Sequence, residues 1–98
     1  PLLDSMLPDE EVAIIKDAID CKKIGCIDFH QLRTRKAGSM RYVDLHLEVP
    51  SSLTVHESHN ICDQIESEIE RRINNIEVHI HVEPCPKKCE DCVDNKIL

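Results

Sequence analysis

Aromatic side chains are nearly missing from this sequence, whose 98 residues include no tryptophan, one phenylalanine and one tyrosine. A hydrophobic core must therefore be built from aliphatic side chains. A single domain of this length buries only about 60–65% of the surface that its unfolded chain exposes, so the core is small. We expect a further source of stability, such as dimerisation or a bound metal ion.

Long apolar runs are also missing. No run approaches the roughly 20 residues that a membrane-spanning helix needs, so we expect no direct membrane insertion by this chain. The sequence begins with Pro1 rather than methionine, which suggests a piece cut from a longer protein. Any transmembrane part of that protein would lie upstream.

Positive charge is scarce, since 12 Lys and Arg residues against 19 Asp and Glu residues give a formal net charge of −7. This balance disfavours a nucleic-acid partner and favours cations. The basic stretch 33–41 has only Tyr42 beside it as a ring on which a base could stack, which is poor support for RNA binding. We expect its basic side chains to pair with carboxylates of this protein or of a dimer partner.

The six cysteines do not indicate a secreted disulfide scaffold. The sequence has no secretion signal, and its apolar periodicity is that of an ordinary small core, so we favour a reducing compartment. Three of the cysteines are expected to pack as small apolar residues: Cys21, Cys26 and Cys62. No thiol is placed with a recognisable base and orienting group, so we expect that the chain is not an enzyme.

The C-terminal segment 85–98 carries the other three thiols, Cys85, Cys89 and Cys92, in the spacing C-x3-C-x2-C. Three soft ligands can capture Zn²⁺ or Cu(I), but a closed structural zinc site uses four. The segment is therefore either an element that scavenges or delivers metal, or a flexible, redox-labile tail.

Two segments have the apolar spacing of amphipathic helices. The first begins near Pro8, where three acidic residues complement the positive end of the helix dipole, and it continues to about Lys22. The second begins at a capping box formed by Thr54 and Glu57. Its buried stripe consists of Ile61, Cys62, Ile65, Ile69 and Ile73.

Three segments have the pattern of strands. They run from Ile27 to Lys36, from Met40 to Val49 and from Glu77 to Val82. The turn 37–39 predicts that the first two form an antiparallel hairpin. Pro50 and Pro84 end the second and third strands, because proline cannot donate a ladder hydrogen bond.

The order helix, strand, strand, helix, strand predicts an α+β fold. We expect an open two-layer sandwich with the ferredoxin-like layout of small metallochaperones and a three-stranded sheet. If the last crossover is right-handed, both helices pack on one face of the sheet. The domain is expected to span residues 8–84, with residues 1–7 as a linker and 85–98 as a flexible tail. The order of the strands cannot be read from the sequence.

The other face of this sheet carries candidate metal ligands. Apolar residues take the odd positions of 42–49, so His46 points away from the core. They take the even positions of 76–83, so His79, His81 and Glu83 also point outward. Imidazole and carboxylate groups suit zinc and its first-row neighbours. If the third strand lies parallel beside the second, His46 and His81 can share an ion.

The segments 30–35 (HQLRTR), 43–47 (VDLHL) and 78–83 (VHIHVE), together with Gly38 and His59, resemble the cytoplasmic C-terminal domain of cation diffusion facilitator transporters. The resemblance covers about residues 8–84. It implies a homodimeric domain below a transmembrane bundle that exchanges a divalent cation for protons. In zinc-transporting members of that family, the domain binds zinc near the dimer interface.

The resemblance also implies a ligand set. The ligand positions of the family fall on His30, His46, His59 and His81, and the carboxylate two residues after the last histidine, often aspartate in the family, is Glu83 here. His56 and His79 are additional to that pattern and are candidates that also fit simple surface residues.

These inferences together predict a cytosolic, metal-sensing dimerisation domain of an antiporter that exports a divalent cation from the cytoplasm. Zn²⁺ is the cation that we expect first, with Fe²⁺ and Mn²⁺ as alternatives. The expected partners are a second copy of the chain, its own upstream transmembrane domain and metal ions, in a cell membrane or the membrane of an intracellular compartment. The alternatives are a free-standing cytosolic metal carrier or chaperone, and a generic ligand-binding domain of the same layout.

Overall fold

A computed structural model of the protein describes residues 4–22 and 27–85. Its elements are, in chain order, β1 (Asp4–Ser5), α1 (Asp9–Lys22), β2 (Asp28–Ala37), β3 (Met40–Val49), α2 (Val55–Arg72) and β4 (Ile76–Pro84). The predicted α-β-β-α-β order with its three long strands is confirmed. The short strand β1 extends the sheet by two residues at the edge beside β2.

The apolar positions of β3 organise the sheet. Every second residue from Val43 to Val49 is buried, as the two-residue period predicts. β3 pairs with β2 in antiparallel orientation and with β4 in parallel orientation, so the strand order is β1-β2-β3-β4. The hairpin between β2 and β3 turns at Gly38, whose φ of 62° lies in the left-handed region that glycine adopts without a steric cost.

The predicted capping box begins α2. The Glu57 N–H donates to Thr54 Oγ1 at 3.0 Å, and the Thr54 N–H donates to Glu57 Oε1 at 2.9 Å. These two bonds satisfy amide groups that would otherwise lack a partner at the start of the helix. The helix therefore starts where the sequence places it.

Both helices pack on one face of the sheet, as predicted. They form one cluster of buried aliphatic side chains with β3 and β4, which includes Ile15, Ala18, Ile19, Val43, Leu45, Leu47, Val49, Cys62, Ile65, Ile69, Ile73 and Val78. Phe29, the one phenylalanine, packs against the edge of this cluster. The opposite face of the sheet is not covered by either helix and carries the polar residues of the three long strands.

Residues at both ends of the predicted domain pack on it. Leu7, in the segment interpreted as a linker, is 3% exposed, and its N–H donates to Thr34 Oγ1 at 3.3 Å. Cys85, assigned to the tail, donates its N–H to the carbonyl of Val49 at 2.8 Å. Neither α1 nor α2, the helices of the described part, is long and apolar enough to cross a membrane.

Two of the three cysteines expected in the core can be compared with the structure. Cys62 is buried, as predicted. The prediction for Cys21 is wrong: the residue is exposed, and its thiol lies 3.5 Å from a guanidinium nitrogen of Arg72 at the surface where the two helices meet. Cys26 lies outside the described residues.

A buried carboxylate joins α1 and α2. Glu68 is 8% exposed and accepts hydrogen bonds from Arg71 and Arg72. Arg72 also donates to Asp17 on α1 at 2.8 Å. Hydrogen bonds from Arg71 and, as the second cause, from Arg72 lower the pKa of Glu68 from its ordinary 4.5 to about 2.

This carboxylate predicts a loss of stability in acid. Because the pKa of Glu68 is about 2 when folded and 4.5 ordinarily, its ionised form stabilises the fold above pH 4.5, and that contribution is lost as the pH falls toward 2. We expect Glu68→Gln to lower the urea midpoint of unfolding near neutral pH, and the difference from wild type to shrink on acidification. Glu70→Gln, an exposed neighbour on α2, is the control. A Glu68→Gln difference of the same size near pH 2 and near pH 7 would contradict this account.

Candidate metal centre

Strand pairing brings side chains from three strands to one place on the open sheet face. His30 of β2 lies opposite His46 of β3. The parallel register of β4 places His81 beside His46 and Glu83 beside Glu48. This is the parallel arrangement that an ion shared by His46 and His81 requires.

A β-bulge in β2 determines which face His30 joins. The register of β2 against β3 shifts between His30 and Arg33, where Gln31 has a φ of 55°. With this extra residue, Phe29 packs against the core and His30 still points to the open face. The sequence signal was weak: Phe29 and Leu32 are apolar residues three positions apart, which breaks the two-residue period.

His30, His46 and Glu83 form a cluster, called the metal cluster below, whose ligand atoms all lie within 4.8 Å of one another. Glu83 lies between the two imidazoles. Its Oε1 is 3.0 Å from His30 Nε2, and its Oε2 is 2.5 Å from His46 Nδ1. The three side chains are between 28% and 37% exposed, so an ion can enter from solvent.

Hydrogen bonds from His46 and, to a smaller degree, His30 lower the pKa of Glu83. The carboxyl group is therefore kept in its ionised form, which is the form that binds a cation. In the metal-free protein each imidazole directs one nitrogen to this carboxylate. Metal binding would replace these hydrogen bonds, because a ligating nitrogen must offer a lone pair instead of a proton.

The metal cluster fits Zn²⁺ or a similar divalent cation. Two imidazole nitrogens and a carboxylate oxygen are ligands that zinc and its first-row neighbours accept. A tetrahedral zinc ion with bonds of about 2.0–2.1 Å holds its ligand atoms roughly 3.4 Å apart, so the present atoms need only small rotations. Three ligands leave a fourth coordination position for another group.

Glu48 is a further residue at this place that could ligate a metal ion, and it is not among the ligands predicted from the sequence. Its Oε2 lies 3.2 Å from His30 Nε2, and its side chain is 26% exposed. The alternation of β3 did predict that Glu48 shares a face with His46. The alternation did not predict that Glu48 contacts His30 on β2.

His81 lies next to the metal cluster but is bonded elsewhere. Its Nε2 is 2.7 Å from Asp44 Oδ1, and its ring stacks on that of His46 with centroids 5.0 Å apart. The structure thus brings His46 together with His30 and Glu83, while His81 pairs with Asp44. An ion shared by His46 and His81 would require rotation of the His81 side chain.

The other candidate histidines are not in the metal cluster. His59 lies on α2, on the helix side of the sheet, where its Nε2 is 3.2 Å from Asp63 and its side chain is 70% exposed. His56 contacts Asn60 on the same helix. His79 Nε2 is 2.7 Å from a carboxylate oxygen two residues earlier on β4.

The thiol ligands predicted for the tail fall mostly beyond the described part of the chain. Cys85 is half-buried at the end of the β4 ladder. Cys89 and Cys92 lie outside the described residues. Binding of a soft metal by the C-x3-C-x2-C pattern stays a prediction.

The fold and the metal cluster together define a candidate metal-binding domain of ferredoxin-like layout. Comparison with protein families identifies which one: the chain belongs to the cation efflux proteins, since residues 7–85 match the model described as "Cation efflux protein, cytoplasmic domain". The predicted resemblance to cation diffusion facilitators is confirmed. So is the predicted place of the chain, the cytoplasmic domain of a cation efflux membrane protein.

Curated relatives include cation-efflux pumps named FieF. Those of Escherichia coli O1:K1 / APEC and of Shigella boydii serotype 18 (strain CDC 3083-94 / BS512) are each 42% identical to this chain over 84 residues. The matched region covers 86% of this chain and 28% of each pump. The chain thus spans little more than a quarter of the length of these relatives.

Solved structures have the same fold. A structure from work on the mode of action of CzrB, described as a proposed zinc transporter, has a TM-score of 0.74 and 34% identity, and the match covers 81% of this chain and 98% of that one. Its Zn form has a TM-score of 0.69 and 30% identity over 87% and 97% of the two chains. A nickel form of a MamM CTD variant, at 22% identity and a TM-score of 0.69 over 80% and 99% of the chains, shows the fold alone.

The geometry predicts the titration of Glu83 in the metal-free protein. Because His46 and His30 donate to its carboxylate, its pKa should lie below the ordinary value, and His46→Ala should raise it more than His30→Ala. His56→Ala, at an exposed residue outside the metal cluster, should leave the pKa of Glu83 unchanged. Carboxyl chemical shifts recorded by NMR during a pH titration measure this. An unaltered Glu83 titration in His46→Ala would contradict the assigned contact.

Proposed function

We propose that this domain senses a divalent cation, Zn²⁺ first among the alternatives, for a transporter that exports the cation from the cytoplasm in exchange for protons. The observation that carries the proposal is the metal cluster of His30, His46 and Glu83 on the open sheet face. Membership of the cation efflux family supplies the transporter context. FieF is described as a cation-efflux pump and CzrB as a proposed zinc transporter, which supports the same role here.

A second copy of the chain is the partner that we propose. The metal cluster has three ligands from one chain and an open fourth position. His59, which the family resemblance also implies as a ligand, lies on α2, on the helix side of the sheet, and is not a member of the metal cluster of its own chain. A second copy that brings its own His59 to the open fourth position would make the ligand set consistent.

Charge supports metal-dependent closing of such a dimer. Each chain carries a net charge of −7, and Asp44, Glu48 and Glu83 share the face that holds the ligands. Two faces of this sign repel one another, and each bound dication cancels two charges. Moving a population from 1:99 to 99:1 needs a difference in binding energy of about 5.5 kcal/mol. Good zinc sites have apparent binding energies of about 10 kcal/mol or more, so one or two ions are enough if about half of the energy of one site is gained only in the closed dimer.

Zinc binding to the chain should depend on the metal cluster. We expect isothermal titration calorimetry at neutral pH to give micromolar or tighter binding for wild type, and a loss of at least about tenfold for His46→Ala or Glu83→Gln. Affinity should also fall on acidification, because a protonated imidazole cannot ligate. His56→Ala is the matched control, an exposed histidine on α2 that should bind as wild type does. Equal affinity in wild type and His46→Ala would remove the proposed site.

The chain should form a homodimer that becomes more compact with zinc. We expect sedimentation velocity to give the mass of two chains, and small-angle X-ray scattering to show a smaller radius of gyration at saturating zinc. His59→Ala should weaken the compaction while leaving a dimer, because this residue is proposed to act across the interface. A single-chain mass at micromolar concentration, or an unchanged radius with zinc bound, would argue against metal-dependent closing.

A further inference from the structure

We propose that the β-bulge at Gln31 is the positioning device of the metal cluster, turning His30 toward Glu83. The inference rests on the proposed function, since it concerns the same cluster. Two observations mark the bulge. The register of β2 against β3 shifts there, and Gln31 has a φ of 55°, in a region that residues other than glycine seldom adopt.

The bulge decides which side of β2 His30 occupies. If the regular pairing near the hairpin continued along β2, Gln31 would lie opposite His46. His30 would then lie opposite Leu47, which is fully buried on the core face. His30 would point toward the helices, and Gln31 would stand in the metal cluster. The extra residue reverses this and places His30 opposite His46.

The bulge also directs His30 across the sheet. β2 and β4 each pair with β3 and not with each other, so their backbones are about two strand spacings, or roughly 9.5 Å, apart. His30 still reaches Glu83, with 3.0 Å between Nε2 and Oε1, and its ring centroid lies 5.4 Å from that of His46. A bulge bends its strand and increases the local twist. This bend turns His30 toward β4.

The backbone of Gln31, rather than its side chain, has this role. The side chain is exposed and is not a member of the metal cluster. Strained backbone is often found beside functional groups whose direction it sets. Glycine adopts a positive φ freely, so Gln31→Gly retains the bulge, whereas the β-branched side chain in Gln31→Val opposes it.

Deleting Gln31 removes the extra residue, so the bulge is lost while Asp28, Phe29 and His30 keep their partners on β3. His30 therefore stays on the open face, and the deletion tests only its direction across the sheet. The ladder then becomes regular, with Leu32 opposite Leu45, and His30 stays opposite His46. We expect zinc affinity of the full chain, measured by calorimetry, to fall by about tenfold or more, as when groups that orient a ligand are lost. The urea midpoint of the metal-free protein should not fall. Gln31→Gly is the matched control and should bind zinc within about twofold of wild type.

A double-mutant cycle tests whether the bulge acts through His30. In a His30→Gln background, deletion of Gln31 should cost no further affinity, because the group that the bulge positions is already gone. Wild-type affinity in the single deletion, or an equal loss in both backgrounds, would overturn the inference.

A second pair of variants covers the case in which the deletion does not fold. Gln31→Val should then bind zinc more weakly than Gln31→Gly, and equal affinities of these two variants would overturn the inference. Failure of the proposed function has a different signature, since wild type and His46→Ala would then bind zinc equally. The two hypotheses therefore fail by separate measurements.

Discussion

The parallel pairing of β4 with β3 is the constraint on which the candidate site depends. The pairing starts at Arg41, whose N–H donates to the carbonyl of Asn75 at 2.7 Å. The guanidinium of Arg41 also donates to Glu11 on α1 at 2.8 Å, so the start of this strand pair is bonded to the first helix. From there the register runs without a shift and places Glu48 beside Glu83. A slip of one residue would turn Glu83 to the core face, because successive side chains alternate between faces.

The bulge in β2 links the site to the core. A residue with a side chain in the left-handed conformation costs about 1–2 kcal/mol, which matters against a total stability of about 5–15 kcal/mol. The same bulge that turns His30 outward turns Phe29 inward. Complete burial of a phenylalanine contributes about 1.5–3 kcal/mol, so its partial burial here offsets part of the strain. A small aliphatic core can therefore tolerate a strained residue beside the ligands.

Much of the fold was predictable because it is encoded locally. The two-residue period of β3 and β4 assigned His46, His81 and Glu83 to one face, and the capping box of Thr54 and Glu57 placed the start of α2. The scarcity of aromatic residues required an aliphatic core. Each of these inferences depends on neighbours a few residues apart, whose spacing determines a helical or strand face whatever the rest of the chain does.

The sequence by itself determined which side chains face away from the core, and only the tertiary structure decided which of them meet. Strand pairing joins residues that are far apart in the sequence, so the sequence did not predict that β4 lies parallel beside β3. The period of a single strand does not encode its partners on the neighbouring strands. It therefore predicts neither the bulge at Gln31 nor the hydrogen bond between His81 and Asp44. The meeting of His30, His46 and Glu83 follows from register across three strands, and register is set by the packed sheet as a whole.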